Sequence, residues 1–363
     1  MIRYLAYLSI GFISFQFLNV LLNLLFRQRI GKTVSPSDEM VSVLIPARDE
    51  AHNIGFLLDD LSKIRGTNLE IIIFDDQSTD DTCAVVERHA SSDPRIQLIR
   101  SESTLPEGWL GKNHACYQLA KQAKGSYYLF IDADVRIEGN IISDALAYLK
   151  KHQLGLLSIF PVQILKSRGE KITVPMMNYI LLTLLPLIFV RVSPFPSHSA
   201  ANGQFMFFDA LTYRKTQPHK HLKSSHVEDI AIARYFKKQR IKIACTTHEE
   251  RIQCRMYQSY GEALSGFSKN IIMFFGNKRL LALLFALFTA LGFLPVLMAL
   301  PTIFPLYLVV LLVILLSYSY ISKQNMGTNL LLFPAQILFL FQVMIMGMMN
   351  KKRHTWKGRN IYS

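Results

Sequence analysis

Cysteine is scarce in this chain, and acid is scarcer than base. The four cysteines (Cys83, Cys116, Cys245 and Cys254) include no C-x-x-C pair, which excludes a zinc or disulfide framework built on closely spaced thiols. They read as reduced thiols of a cytosolic domain. Only 26 Asp and Glu oppose 40 Lys and Arg, leaving a formal net charge of +14. Such a surplus suits nucleic acid or an anionic lipid surface. No recognition-helix pattern and no aromatic–basic platform accompanies it, so nucleic acid is set aside as a partner. Internal repeats and low-complexity linkers are missing too. What is abundant is apolar: half of the 363 residues are hydrophobic. Apolar mass with basic flanks points to a membrane protein facing anionic lipid, where each juxtamembrane Lys or Arg adds ~1 kcal/mol.

Long uncharged runs stand at both ends. Tyr4–Phe26 is uncharged over 23 residues, enough to cross a hydrocarbon core of about 30 Å. Arg27, Arg29 and Lys32 follow it, against Arg3 alone before it, so the positive-inside rule puts the next segment in the cytoplasm. Leu280–Ser322 is uncharged with Pro301 and Pro305 near its middle, which reads as two spans joined by a tight turn. Gln324–Asn350 is a third such run, and five basic residues follow between 351 and 359. Three spans after a cytosolic domain would export that tail. Either one stretch is re-entrant or interfacial, or the tail breaks the rule; a cytosolic tail is preferred. Ile172–Val190, interrupted by Pro175 and Pro186, reads as an interfacial segment, with a buried core helix as the alternative. The expected organisation is an N-terminal transmembrane anchor (1–31), a cytosolic catalytic domain (32–270), a C-terminal transmembrane region (271–350) and a basic tail (351–363). That describes a multi-pass protein of the cell membrane.

Within 32–270, short β-branched runs alternate with amphipathic stretches. Val41–Ile45, Ile71–Phe74, Ile96–Ile99 and Tyr127–Ile131 read as buried strands, and Ala51–Ile64, Asp80–Ala90 and Lys112–Lys124 as the helices between them. The alternation predicts an α/β fold with a mostly parallel, doubly wound sheet, whose ligands bind beyond the carboxyl ends of the strands. Acidic turns fall at those ends: Pro46-Ala47-Arg48-Asp49-Glu50, Asp75-Asp76-Gln77-Ser78-Thr79-Asp80 and Asp132-Ala133-Asp134. Each alone is weak, since Ser78, Thr79 and Asp80 are ordinary caps. Together they predict carboxylates converging on one divalent cation beside a phosphate. Lys112, opening a helix in Gly108-Trp109-Leu110-Gly111-Lys112-Asn113-His114, puts a cation and free N–H groups where a phosphate docks. Farther on come a small-residue turn with Gly203 and Gln204, then Glu228-Asp229 opening a helix, where Asp229 is suited to take a proton. Arg255 and Tyr257 read as phosphate and acceptor contacts or as ordinary interfacial residues. His219, His221 and His226 read as part of a basic solvated loop, not a metal site.

V-S-V-L-I-P-A-R-D-E (41–50), F-D-D-Q-S-T-D-D-T (74–82), I-D-A-D-V (131–135) and V-E-D-I (227–230) resemble the ordered motif set of family 2 glycosyltransferases. G-W-L-G-K-N-H-A-C-Y (108–117), C-R-M-Y-Q-S (254–259) and W-K-G-R-N-I-Y (356–362) resemble the branch of carotenoid (4,4′-diaponeurosporenoate) and hopanoid-associated enzymes. The resemblance implies a GT-A fold, a nucleoside-diphosphate sugar donor (UDP-linked), Mg²⁺ or Mn²⁺, inversion at the anomeric carbon and a lipid-like acceptor such as a carotenoid acid. It implies that Pro46, Ala47, Glu50 and Asp76 hold the uridine and that Lys112 meets the ribose or phosphate. Asp132 and Asp134 would meet the ribose and the metal-bound diphosphate, with Asp229, beside Glu228, as the base. Where processive synthases of the family carry Q-x-x-R-W, this chain has Gln253-Cys254-Arg255-Met256-Tyr257, which argues for single transfer. Transfer to polyprenyl phosphate or diacylglycerol, a processive synthase and an inactive scaffold are the competing expectations.

Overall fold

The computed structural model describes residues 1–32, 38–101 and 104–349, and the backbone of 355–356 and 359–360. The rest of the basic tail, with most of the W-K-G-R-N-I-Y stretch, lies outside the described residues. Eight strands form one sheet: β1 (Val41–Ala47), β2 (Leu69–Asp75), β3 (Ile96–Arg100), β4 (Tyr127–Ile131), β5 (Val135–Ile137), β6 (Leu156–Gln163), β7 (Phe205–Asp209) and β8 (Ile243–Cys254). Their order is β3-β2-β1-β4-β7-β6-β8-β5. The four strands anticipated from periodicity make the parallel block β3-β2-β1-β4. Parallel neighbours need a crossover, and the helices Ile54–Ser62, Thr82–Ala90 and Gly111–Gln122 supply it. Beyond β4 the sheet turns mixed: β7 runs antiparallel to β4 and β6, and β5 antiparallel to β8. This half escaped the periodicity argument because β8 carries His248, Glu249, Glu250 and Arg251, and its ladder with β6 is interrupted by bulges.

Alternation along the strands divides two cores. Val43, Ile45, Leu129, Ile131, Phe205 and Phe207 point to the face covered by Ile54–Ser62 and Ile141–Lys151. Leu44, Tyr128, Phe130, Met206 and Phe208 point to the other face, whose core continues through Tyr179 and Ile180 to Phe285, Tyr318 and Phe339 of the apolar helices. Each such side chain, fully buried, stabilises by ~1.5–3 kcal/mol. Sheet and apolar helices therefore share one core.

Ile2–Leu25, Phe304–Ile321 and Met326–Met349 are each long and apolar enough to cross a membrane, and Arg279–Leu291 with Phe293–Ala299 forms a further unit bent by 52°. The bend has a local cause: Pro295 has no N–H to donate to the carbonyl of Leu291. The turn expected at Pro301 is present, so Leu280–Ser322 does divide in two, but its first half is itself broken.

The N-terminal helix is more than an apolar rod. Ser9, Gln16, Asn19 and Asn23 are buried along one side of it. Gln16, Asn19 and Asn23 face Arg168–Leu184, which opens on a Ser167/Glu170 capping box and stops short of Pro186. Helix ends leave carbonyls without partners. Here Asn19 Nδ2 donates to Thr183 O at 2.8 Å, and Asn23 Nδ2 donates to Leu182 O at 3.0 Å and Leu185 O at 2.9 Å. Asn23 Oδ1 accepts from Leu187 N at 2.7 Å. Gln336 Nε2, from Met326–Met349, donates to Lys171 O at 3.1 Å. Val174, Met176, Tyr179, Ile180 and Leu182 of this helix are buried within the protein.

Candidate active site

The ends of β1 and β2 are stitched into one turn. Asp49 sits at φ +52°, and its carboxylate accepts from Thr79 N at 2.7 Å. Asp49 N donates to Ser78 Oγ at 2.9 Å, Glu50 N to Thr82 Oγ1 at 2.8 Å and Asp76 N to Ala47 O at 2.8 Å. Asp75 accepts from Ser78 N at 3.2 Å, and Asp80 from Ala51 N at 3.0 Å. Much of the second acidic run is thus used in shaping the first. Asp75 and Asp76 are buried.

Beyond that edge opens a cavity of about 640 Å³. Among the residues anticipated from sequence, Pro46, Glu50, Lys112, Asp132, Asp134, Gln204, Glu228 and Tyr257 line it; Ala47, Asp76, Gly203, Asp229 and Arg255 do not. Arg48, Asn113, His226, Lys269 and Asn270 also line it. Convergence of the acidic turns is therefore partial. Among the described residues no three His, Cys, Asp or Glu side chains are arranged to hold a metal ion, which narrows the expectation of carboxylates from 50 to 229 gathering on one cation. The reason is the β1–β2 stitching, which turns the second run toward backbone amides.

The centre of the cavity is an ion triad. Lys112 Nζ lies 2.8 Å from Asp132 Oδ1 and 3.2 Å from Glu228 Oε1. Burial pulls the ammonium down, but Asp132 and Glu228 outweigh it and hold it well above the usual lysine range. Gly203 packs behind: a Cβ there would sit 3.4 Å from both Glu228 Oε1 and Lys112 Nζ. Asp229 sits just behind this wall, accepting from Gly203 N at 3.0 Å and from its own Ile230 N at 2.7 Å. Burial and the neighbouring Glu228 push its carboxyl up to about 7.

Asp134 differs from Asp132. Asp132 is engaged by Lys112, whereas Asp134 Oδ1 is buried without a hydrogen-bond partner. The Cys254 thiol hydrogen-bonds the Asp134 carboxyl, Gln204 Nε2 donates to Cys254 Sγ at 2.7 Å, and Gln163 Nε2 donates to Gln204 Oε1 at 3.1 Å. The β5–β8 pairing, which sets Val135 opposite Cys254, makes this relay. Burial, Asp132 and Glu50 push the Asp134 carboxyl up to about 7. An orphaned carboxylate oxygen beside two further acids fits a hard divalent cation that takes its remaining ligands from a phosphate.

Tyr257 roofs the far side, its ring 4.9 Å from Phe267, while Arg255 Nε donates to the fully buried Glu170 at 2.7 Å. Arg255 thereby pins the Arg168–Leu184 capping box. A Cβ at Gly266 would overlap the Tyr257 ring, lying 2.6 Å from Cε1.

His219 departs from the solvated-loop expectation, whereas His221 is exposed. His219 is buried, its Nδ1 2.6 Å from Tyr213 Oη, because Pro218–His221 is a helical turn folded onto Phe130. His221 stacks on Tyr235 at 4.4 Å. Sequence reasoning also passed over Asn113, whose Nδ2 donates to Leu222 O, Lys223 O and Ser225 O at 3.0–3.1 Å, fixing the loop that delivers Glu228. Its only signal was its place beside Lys112.

Residues 42–211 match the family described as glycosyl transferase family 2. That stretch of the chain is a family 2 glycosyltransferase domain. This glycosyltransferase is 26% identical over 254 residues to a 4,4′-diaponeurosporenoate glycosyltransferase of Staphylococcus haemolyticus (strain JCSC1435), covering 68% of this chain and 63% of that protein. It is 25% identical over 345 residues to the protein of the same name from Staphylococcus aureus (strain MRSA252), covering 90% of each. In fold it resembles the mannosyltransferase PcManGT from Pyrobaculum calidifontis, solved with GDP-Man and Mn²⁺: TM-score 0.62 at 14% identity, over 97% of this chain and all of that one. The mixed eight-stranded sheet is GT-A-like, and apolar helices stand on either side of it in the chain.

Proposed function

We propose that this glycosyltransferase moves a sugar, with inversion, from a UDP-sugar to a lipid-like acceptor taken from the membrane, a carotenoid acid being the acceptor class suggested by its relatives. One observation carries the reading: a Lys112 cation clamped by Asp132 and Glu228, beside the orphaned oxygen of Asp134, in a cavity that starts at the β1 and β4 turns. Pro46 and Glu50, which line the cavity, are assigned to the nucleoside end, and Lys112 and Asp132 to the ribose and diphosphate. Asp134, with Asp132 beside it, would hold Mg²⁺ or Mn²⁺, which when bound neutralises charge on the departing diphosphate. The Gly203–Gln204 turn supports the triad.

In the transfer step an acceptor oxygen bonds to the anomeric carbon while the carbon–phosphate oxygen bond breaks, its electron pair leaving with the nucleoside diphosphate. Lys112 meets that growing charge. A hydroxyl acceptor must also lose a proton, for which Asp229 is the base; a carboxylate acceptor has none to lose. Asp229→Asn is accordingly expected to slow transfer to an alcohol by about 10²-fold or more and transfer to an acid far less. Equal losses on both acceptors would assign Asp229 to holding Gly203 alone.

Membrane topology follows the same reading. If the bent pair Arg279–Leu291 and Phe293–Ala299 dips in and returns, three spans remain, and the basic tail ends on the cytoplasmic side with the catalytic sheet. The deciding experiment is UDP release by the purified protein with a panel of UDP-sugars. Release is expected to need Mn²⁺ or Mg²⁺, to stop with EDTA and to vanish in Asp134→Asn. Metal-independent release, or none with any sugar, overturns the proposal.

A further inference from the structure

The helix Glu228–Lys238 opens on the cavity, and none of these roles uses its other end. Between 210 and 242 the chain holds nine Lys and Arg against two acids, and those two are Glu228 and Asp229 themselves. Lys237 and Lys238 suit the last turn of the helix, where cations offset its dipole. That reason does not cover Arg234, a turn earlier. Arg234 and Lys238 are four residues apart and so share one side of the helix. With Tyr235 they flank an open hollow of about 460 Å³, bounded across from them by His221 and Leu222. Its lining holds two permanent cations and no acid, and Arg240 is exposed just past the helix.

Lys237 is buried instead. Its Nζ donates to Phe189 O at 3.0 Å and to Ser193 O at 2.7 Å, which fastens the basic end to Ile188–Val192 and the turn after it. That turn is built: Phe195 N donates to Ser193 Oγ at 3.2 Å, His198 Nδ1 lies 2.7 Å from the same oxygen, and the His198 ring stacks on Phe189 at 5.3 Å. Yet it holds Val192 and Phe195 outward, 61% and 62% exposed. Single exposed apolar residues are ordinary. Two on a held turn, beside cations without counter-acids, have the composition of a membrane-surface contact. Position agrees. The segment starts at Leu187, whose N–H reaches Asn23 and whose carbonyl accepts from Gln28 Nε2 at 3.1 Å. Asn23 and Gln28 bracket the end of Ile2–Leu25, a helix able to cross a membrane.

We infer that this face docks on the lipid surface. Val192 and Phe195 enter the head-group layer, while Arg234, Lys238 and Arg240 meet the phosphates of anionic lipids, one head group seating in the hollow. The partner is lipid because the face joins apolar tips to positive charge and is continuous with the end of a membrane-crossing helix. Docking also fixes the helix whose first turn carries Glu228 and Asp229, so anionic lipid raises the rate. The contact itself is independent of the sugar chemistry; only its effect on rate rests on the transferase reading above.

The test uses the full-length protein in nanodiscs of phosphatidylcholine, with and without phosphatidylglycerol, and Phe195→Trp read against wild type. The added fluorescence is expected to be quenched by brominated phosphatidylcholine, more strongly with phosphatidylglycerol present, and high salt should erase that difference. The triple change Arg234→Gln, Lys238→Gln and Arg240→Gln should abolish the phosphatidylglycerol effect. UDP release by the wild type should rise about fivefold or more with phosphatidylglycerol, the gain from one basic residue at an anionic surface. The triple variant should keep the phosphatidylcholine rate within about twofold and lose the rise. Added fluorescence unquenched in every lipid overturns the inference and leaves the face to an acidic protein or to water. Quenching indifferent to phosphatidylglycerol and salt overturns it as well, since the cations then take no part. UDP release that ignores phosphatidylglycerol overturns the link to the site. No UDP release in any lipid overturns the transferase reading, while quenching still decides the docking.

Discussion

Replacement of Lys112 by Met is expected to lower turnover by about 10²- to 10³-fold, the range seen when a preorganised charge at a departing anion is removed. The same change leaves Asp132 and Glu228 facing each other across the cavity without the cation now 2.8 Å from one and 3.2 Å from the other. Breaking a fully buried pair costs about 3–5 kcal/mol. Lys112 keeps 27% of its side chain exposed, so solvent screening reduces the expected cost to about 2–3 kcal/mol. Adding Glu228→Gln to Lys112→Met removes one of the two repelling charges and should recover most of that stability while recovering no turnover. Steady-state rates and thermal unfolding of the two variants measure both quantities. Turnover within threefold of wild type in Lys112→Met would remove the lysine from the chemistry and leave it a structural ion pair.

Asn23→Leu makes the first helix more apolar, so a segment that only anchors the chain would tolerate or welcome it. The opposite is expected. Asn23 serves two carbonyls and one amide where Arg168–Leu184 ends before Pro186. Leucine leaves those backbone groups buried without partners, at ~1–3 kcal/mol each. A loss of about 3–5 kcal/mol follows, roughly a 10 °C drop in Tm. Leu18→Ala, on the exposed side of the same helix, should cost under about 1 kcal/mol. Equal melting temperatures for Asn23→Leu and wild type would reduce this helix to a tether.

How much of this was legible in advance differs element by element. Val41–Ala47, Leu69–Asp75 and Tyr127–Ile131 were anticipated to within two residues, because buried parallel strands read as unbroken apolar runs. The lining positions Glu50, Lys112, Asp132 and Asp134 followed at once, since a strand's end dictates where the next turn lies. Asp76 was anticipated with them, yet its turn is drawn into the β1–β2 stitching, and nothing in the spacing of D-D-Q-S-T-D separates a hydrogen-bonded cap from a ligand contact. Nor could spacing reveal that Arg255 pairs with Glu170, which lies on another element 85 residues away. Cys254 looked inert, and becomes a support of Asp134 only because β5 and β8 pair antiparallel.

By itself the sequence determined the parallel half of the sheet, the acidic turns at its edge and the apolar segments at both termini, because each is a local pattern of period, turn chemistry or length. Only the tertiary structure decided which carboxylates face the cavity, which thiol and amides hold Asp134, and that the first helix caps a helix more than a hundred residues away. Those outcomes depend on hydrogen bonds and packing between residues far apart in the chain, and such pairings leave no periodic trace in the order of amino acids.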